Sequence, residues 1–141
     1  MTAQTITFEL PEHLYSRLQN AAQGMKRPLD DVLRRAVEVG SPPSWENAPA
    51  VFQADLAALD RLDDESLWRL TLGVQDDLDW EQYQELLDKN AEGNLSTSER
   101  AQLEELRFEA DRFALCKAHA AALLRWRGRP VPLPDLPAAT P

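Results

Sequence analysis

Cys116 and His119 stand three residues apart, a spacing that sets a thiol and an imidazole on one face of a helix. Such a pair is half of a zinc site, since a structural zinc takes four ligands. No two further ligands stand out, and the other histidine, His13, lies near the opposite end of the chain. The pair therefore reads as a small buried thiol beside a helical surface histidine. Asp76, Asp77 and Asp79 form an acidic turn, but a calcium loop needs a longer, glycine-centred ligand series. No glycine-rich phosphate loop and no nucleophile elbow occur. These residues predict a protein that is not an enzyme and takes neither cofactor nor metal. Arg125, Arg127 and Arg129 cluster where the last helix ends. They can complement the helix dipole, or pair with carboxylates of a protein partner or with phosphate.

The elements that must position these groups are constrained by composition. The chain has 141 residues, room for one ordinary domain or for a small module with a helical extension. Hydrophobic residues make up 43% and charged residues 28%, which is globular rather than disordered composition. A single cysteine excludes a disulfide framework within the chain and fits a reducing compartment. No apolar run approaches the ~20 residues that span a bilayer, and MTAQTITFEL has no basic segment followed by an apolar block. The sequence reads as a soluble, cytoplasmic protein with no membrane partner and no small-molecule substrate.

Proline and glycine divide the chain. Five of the ten prolines fall at or before Pro49 and five at or after Pro130, so the stretch between them is free to be helical. Each of the five glycines follows a stretch of helical periodicity, where a left-handed cap is wanted. The expected organisation is a unit at 1–40, a linker at 41–49, a helical domain at 50–128 and a proline-rich tail at 129–141. Charge is unevenly divided. Residues 1–40 hold five basic and five acidic side chains, so the whole formal net charge of −9 lies in the remainder. Such an acidic surface can serve solubility alone, or can steer and occupy a site built to attract polyanions.

Within the first unit, Thr5 to Leu10 alternates strictly, with Ile6, Phe8 and Leu10 on one face and Thr5, Thr7 and Glu9 on the other. Period two with β-branched and aromatic residues predicts a half-buried strand. Two helices follow, one with Leu14 and Leu18 in its apolar stripe, the other with Val32 and Leu33. One strand and two short helices bury too little apolar surface to stand alone, and the strand has two open edges. The expected solution is a homodimer in which two copies of the strand pair antiparallel about a two-fold axis. Ile6, Phe8, Leu10, Leu14, Leu18, Val32 and Leu33 would form its interface.

The segment ITFELPEHLYSRLQNAAQGMKRPLDDVLRRAVEVG resembles the ribbon-helix-helix family of antitoxins and repressors, over about a quarter of the chain. That resemblance implies a mainly α fold with a dimeric two-stranded ribbon that enters the DNA major groove. Carried over by position, Thr5, Thr7 and Glu9 would read bases, and the backbone at Pro28 and Leu29 would clamp a phosphate. Lys26 and Arg27 would add charge beside the clamp. Glu9 departs from the basic or amide reader usual in the family, and Pro28 from its Ser or Thr cap. A carboxylate there accepts from cytosine but repels phosphate.

The extension reads as helices with apolar stripes at Phe52–Leu62, Leu67–Leu72 and Trp80–Leu87, then one long helix opened by the capping box Ser96-Thr97-Ser98-Glu99 and running to Arg127. That helix has two apolar faces, one with Leu103, Leu106, Ala110, Phe113 and Leu124, the other with Phe108, Leu115, Ala122 and Trp126. The second face, with Arg125, Arg127 and Arg129, is the expected partner surface. The segment ELLDKNAEGNLSTSERAQLEELRFEADRFALCKAHAAALLR is similar to the C-terminal half of uncharacterised bacterial proteins whose genes sit beside HNH-type nuclease genes. Together the readings predict an antitoxin-like regulator that dimerises, can bind operator DNA and neutralises a cognate toxin, a nuclease. A repressor with no toxin, and a dimeric adaptor that binds no DNA, are the other two roles compatible with the residues.

Overall fold

The computed structural model describes residues 3–75 and 78–131. Asp76 and Asp77 of the acidic turn, and residues 132–141 of the proline-rich tail, lie outside them. The described residues form six α-helices: α1 (Glu12–Met25), α2 (Leu29–Gly40), α3 (Ala50–Leu59), α4 (Asp64–Leu72), α5 (Trp80–Ala91) and α6 (Thr97–Trp126). The chain divides into two compact units, residues 1–41 and 42–141.

In the first unit, α1 packs against α2. Pro11 and Pro28 precede the two helices as their N-caps, with φ near −55° and −59°. Proline suits a helix entrance because its missing N–H is not needed there. Helix α1 does not end at Gly24 as the glycine pattern predicts. It runs one residue further, and Lys26 takes the left-handed conformation at φ 53°. The Lys26 N–H donates to the carbonyls of Ala22 and Gln23, and the Arg27 N–H to Ala22, so the left-handed cap falls two residues after the glycine. Gly93 and Gly128, with φ 75° and 86°, do take the left-handed role expected of them.

The predicted strand is not present. Residues 3–10 form no regular element, and no strand or sheet occurs among the described residues, so the two-stranded ribbon is corrected to an all-helical fold. Alternation decides which side chains share a face, but a strand also needs a ladder for its N–H and C=O groups. No other described segment of the chain supplies one. Ile6 stays 80% exposed and Phe8 65% exposed.

The second unit is built on α6, which packs against α3, α4 and α5. Its core joins Phe52, Leu56 and Leu59 of α3, Leu67 of α4, and Ala120, Leu123 and Leu124 of α6. Leu67 and Leu124 are fully buried. Three helix starts are fixed by side chains. Asp63 accepts from the Ser66 N–H at 2.8 Å, and Asp79 from Gln82 at 3.0 Å. Ser96 and Glu99 form the reciprocal capping box, at 3.1 and 3.2 Å. The 30 residues of α6 match the length read from the sequence. Among the described residues, no helix is long and apolar enough to cross a membrane.

Candidate functional site

Helix α5 shows how local sequence builds a charged surface. Leu86 is buried and turns that side of the helix inward. Glu81, Glu85, Asp88 and Glu92 recur at spacings of four, three and four, which puts all four carboxylates on one stripe. All four are exposed, and none enters an ion pair among the described residues. The one cation on this helix, Lys89, is committed elsewhere, with its Nζ 2.6 Å from Glu99 Oε2. The stripe is an acidic ridge about 16 Å long at 1.5 Å per residue. Sequence reading reached only the overall acidic bias, although the 81, 85, 88, 92 spacing was there to find.

The C-terminal arginines separate into different roles. Arg127 donates to the Leu62 carbonyl at 2.8 Å, to Asp64 Oδ1 at 2.9 Å and to the Asp60 carbonyl at 3.1 Å. Arg129 donates to Asp64 Oδ2 at 2.9 Å. Both arginines hold the start of α4 to the end of α6, and their hydrogen bonds, that of Arg127 foremost, hold the Asp64 carboxyl below its ordinary pKa. Arg125 faces outward and makes no side-chain ion pair or hydrogen bond among the described residues. Of the apolar residues expected on the partner face, Leu115 packs against the core. Phe108 rests on Phe52, ring centroids 4.9 Å apart, and keeps 41% of its surface exposed. Trp126 is 52% exposed. A shallow cavity of about 310 Å³ lies between Asp64, Glu65, Trp68, Leu124, Arg129 and Pro130. Its one cation, Arg129, is paired with Asp64 and shares the lining with a second carboxylate, Glu65, a balance that opposes an anion.

Asp60 joins distant segments. Its Oδ1 lies 2.8 Å from His119 Nε2, and its Oδ2 accepts from Trp45 Nε1 at 2.9 Å. His119 is 8% exposed, which corrects the expected surface histidine to a buried one. The pattern of α6 could not show this, because the residues that cover His119 lie far away in sequence. With both oxygens engaged, Asp60 is a tie rather than a free base. Cys116 is half-buried against the core, and burial pushes its thiol pKa up, away from the reactive thiolate. Among the described residues, no three His, Cys, Asp or Glu side chains come together to hold a metal ion.

In the first unit, Thr5, Thr7 and Glu9 are exposed on the irregular segment. Lys26 forms the left-handed cap of α1, and Arg27 lies 3.9 Å from Asp31. The Pro28 carbonyl accepts from the amides of Asp31 and Val32, and Leu29 begins α2. Asp30 and Asp31 occupy the first turn there. Two carboxylates already complement that positive helix end, which opposes a phosphate at Pro28 and Leu29. Val32 is buried between the helices, Leu10, Leu14, Leu18 and Leu33 are half-buried, and Ile6 and Phe8 are exposed.

Comparison of the chain with protein-family models, with curated proteins and with solved structures finds no match.

Proposed function

We propose that this protein is an antitoxin-like, non-catalytic regulator that works in an assembly and blocks a basic, nucleic-acid-cleaving partner with the acidic ridge of α5. The observation that carries the reading is the ridge itself, four exposed carboxylates in one row on a helix whose one cation, Lys89, is paired with Glu99. A nuclease site concentrates positive potential to attract a polyanion. A helical row of carboxylates offers it the same sign of charge on a rigid support. Charge of this kind raises association rates by about 10- to 1,000-fold at low salt.

The first unit supports the assembled state. Among the described residues its only buried apolar side chains are Ala22 and Val32, while Ile6, Phe8, Val37 and Val39 stand exposed. About 40 residues with so small an interior need surface supplied from outside. A dimeric adaptor draws on the same observation and differs in having no nuclease to block. Operator binding forms no part of the proposal, because Glu9 and the acidic start of α2 both oppose phosphate.

The decisive measurement mixes the full-length protein with the product of the neighbouring gene. The expected result is a stable complex that inhibits DNA cleavage by that product and weakens as salt rises. Glu81→Lys/Glu85→Lys should abolish inhibition while leaving the helical spectrum intact. No complex, or a complex indifferent to both salt and charge reversal, overturns the proposal.

A further inference from the structure

Helix α6 turns Leu103, His119, Ala120, Leu123 and Leu124 into the unit. The opposite side carries Asp111, Ala114, Ala118, Ala122 and Arg125, at spacings of three, four, four and three, a single stripe along the helix. Asp111, Ala114, Ala118 and Arg125 are exposed, and Ala122 is half-buried. Neither Asp111 nor Arg125 makes a side-chain ion pair or hydrogen bond among the described residues. The stripe has the same spacing from either end, and its two ends carry opposite charges.

We infer that this face of α6 is where two copies of the chain pair, antiparallel, about a two-fold axis through Ala118. The inference deepens the assembled state proposed above and makes no use of the acidic ridge. A two-fold rotation at Ala118 sets Asp111 of each copy opposite Arg125 of the other, and Ala114 opposite Ala122. Both charged ends are then matched twice. A parallel pair would instead set Asp111 on Asp111 and Arg125 on Arg125, so charge selects the orientation. Alanine at the three central positions lets the helix axes approach to about 8 Å. Phe108 and Trp126 lie on the same edge of this face, 18 residues apart, and the same rotation brings Phe108 of one copy beside Trp126 of the other within a turn. Two large, half-exposed aromatic surfaces are covered together. Elsewhere the unit is acidic and repels its copy. Here Glu104 and Asp111 are balanced by Arg107 and Arg125.

The test uses the full-length protein. Under mild oxidation, Ala118→Cys should give a disulfide-linked dimer. Ala114→Cys should not, because the two-fold separates its copies by about 12 Å along the axis, beyond disulfide reach. In sedimentation, Asp111→Arg or Arg125→Asp should each weaken self-association about tenfold, and the double exchange should restore it. Cross-linking of Ala118→Cys no faster than that of Ala114→Cys overturns the inference. So does a double exchange as weak as either single one. Inhibition left unchanged by the ridge variants, with cross-linking retained, would sink the partner reading and leave this one standing.

Discussion

His119 on α6 and Asp60, the residue that ends α3, meet at 2.8 Å across 59 positions of sequence. The same carboxylate takes the Trp45 indole N–H, and the Asp60 carbonyl takes Arg127. Asp60 thus ties the segment before α3, the body of α6 and the end of α6 to one point. Asp60→Ala leaves a buried imidazole and an indole N–H without their acceptor. The expected loss is about 1–3 kcal/mol, measured by urea unfolding. Asp60→Asn, which keeps an acceptor oxygen, should recover part of it.

Arg127 and Arg125 lie two residues apart and should respond differently. Arg127→Ala deprives the Leu62 carbonyl and Asp64 of their donor, and should cost about 1 kcal/mol after allowance for solvent screening. Arg127→Lys should not rescue it, since one ammonium cannot serve three acceptors as the guanidinium fork does. Arg125→Ala should leave the unfolding midpoint unchanged. Thermal melts of the three variants check both statements.

Stability should fall on the acid side through identified groups. Ser66 hydrogen bonds hold Asp63 below its ordinary 3.8. Arg127 and then Arg129 do so for Asp64, and Lys89 and then Ser96 hold Glu99 below 4.5. A carboxylate whose pKa is lower folded than unfolded stabilises the fold above its unfolded value. That contribution is lost as pH falls through the folded value. Lys89, raised above 10.5 chiefly by its hydrogen bond to Glu99, contributes below its unfolded pKa and loses that contribution as pH rises through the folded one. The urea midpoint should be flat near neutrality, drop below about pH 4 and drop again above about pH 10.5. Asp64→Asn should blunt the acid limb.

Lys26 carries a positive φ that a side chain adopts at a cost. Lys26→Gly should therefore stabilise the first unit, by about 1 kcal/mol at most, because glycine takes the left-handed cap without a Cβ clash. Hydrogen exchange at the α1 amides reads the change. Gly24→Ala should also stabilise α1, by about 0.5–1 kcal/mol, since Gly24 sits inside the helix with open space at its Cβ position.

Where each structural feature was legible follows from the range of the interaction behind it. Asp63, Asp79 and Ser96 announce their helices because a cap needs only the chain and an amide two or three residues on. The length of α6, and the ridge on α5, are likewise properties of a few adjacent turns. Alternation from Thr5 to Leu10 had no such closure, since a strand is completed by a partner segment that the pattern does not supply. Gly24 and Lys26 are two residues apart, and only the closing hydrogen bonds decided between them.

The sequence by itself determined the helical register, the helix starts and the segregation of acidic charge, all of which depend on near neighbours. Tertiary structure alone decided that His119 is buried, that Arg127 and Arg129 are held by Asp64, and that Asp111 and Arg125 are left facing outward. Those outcomes depend on which helix covers which face, and packing brings together residues that lie some sixty positions apart.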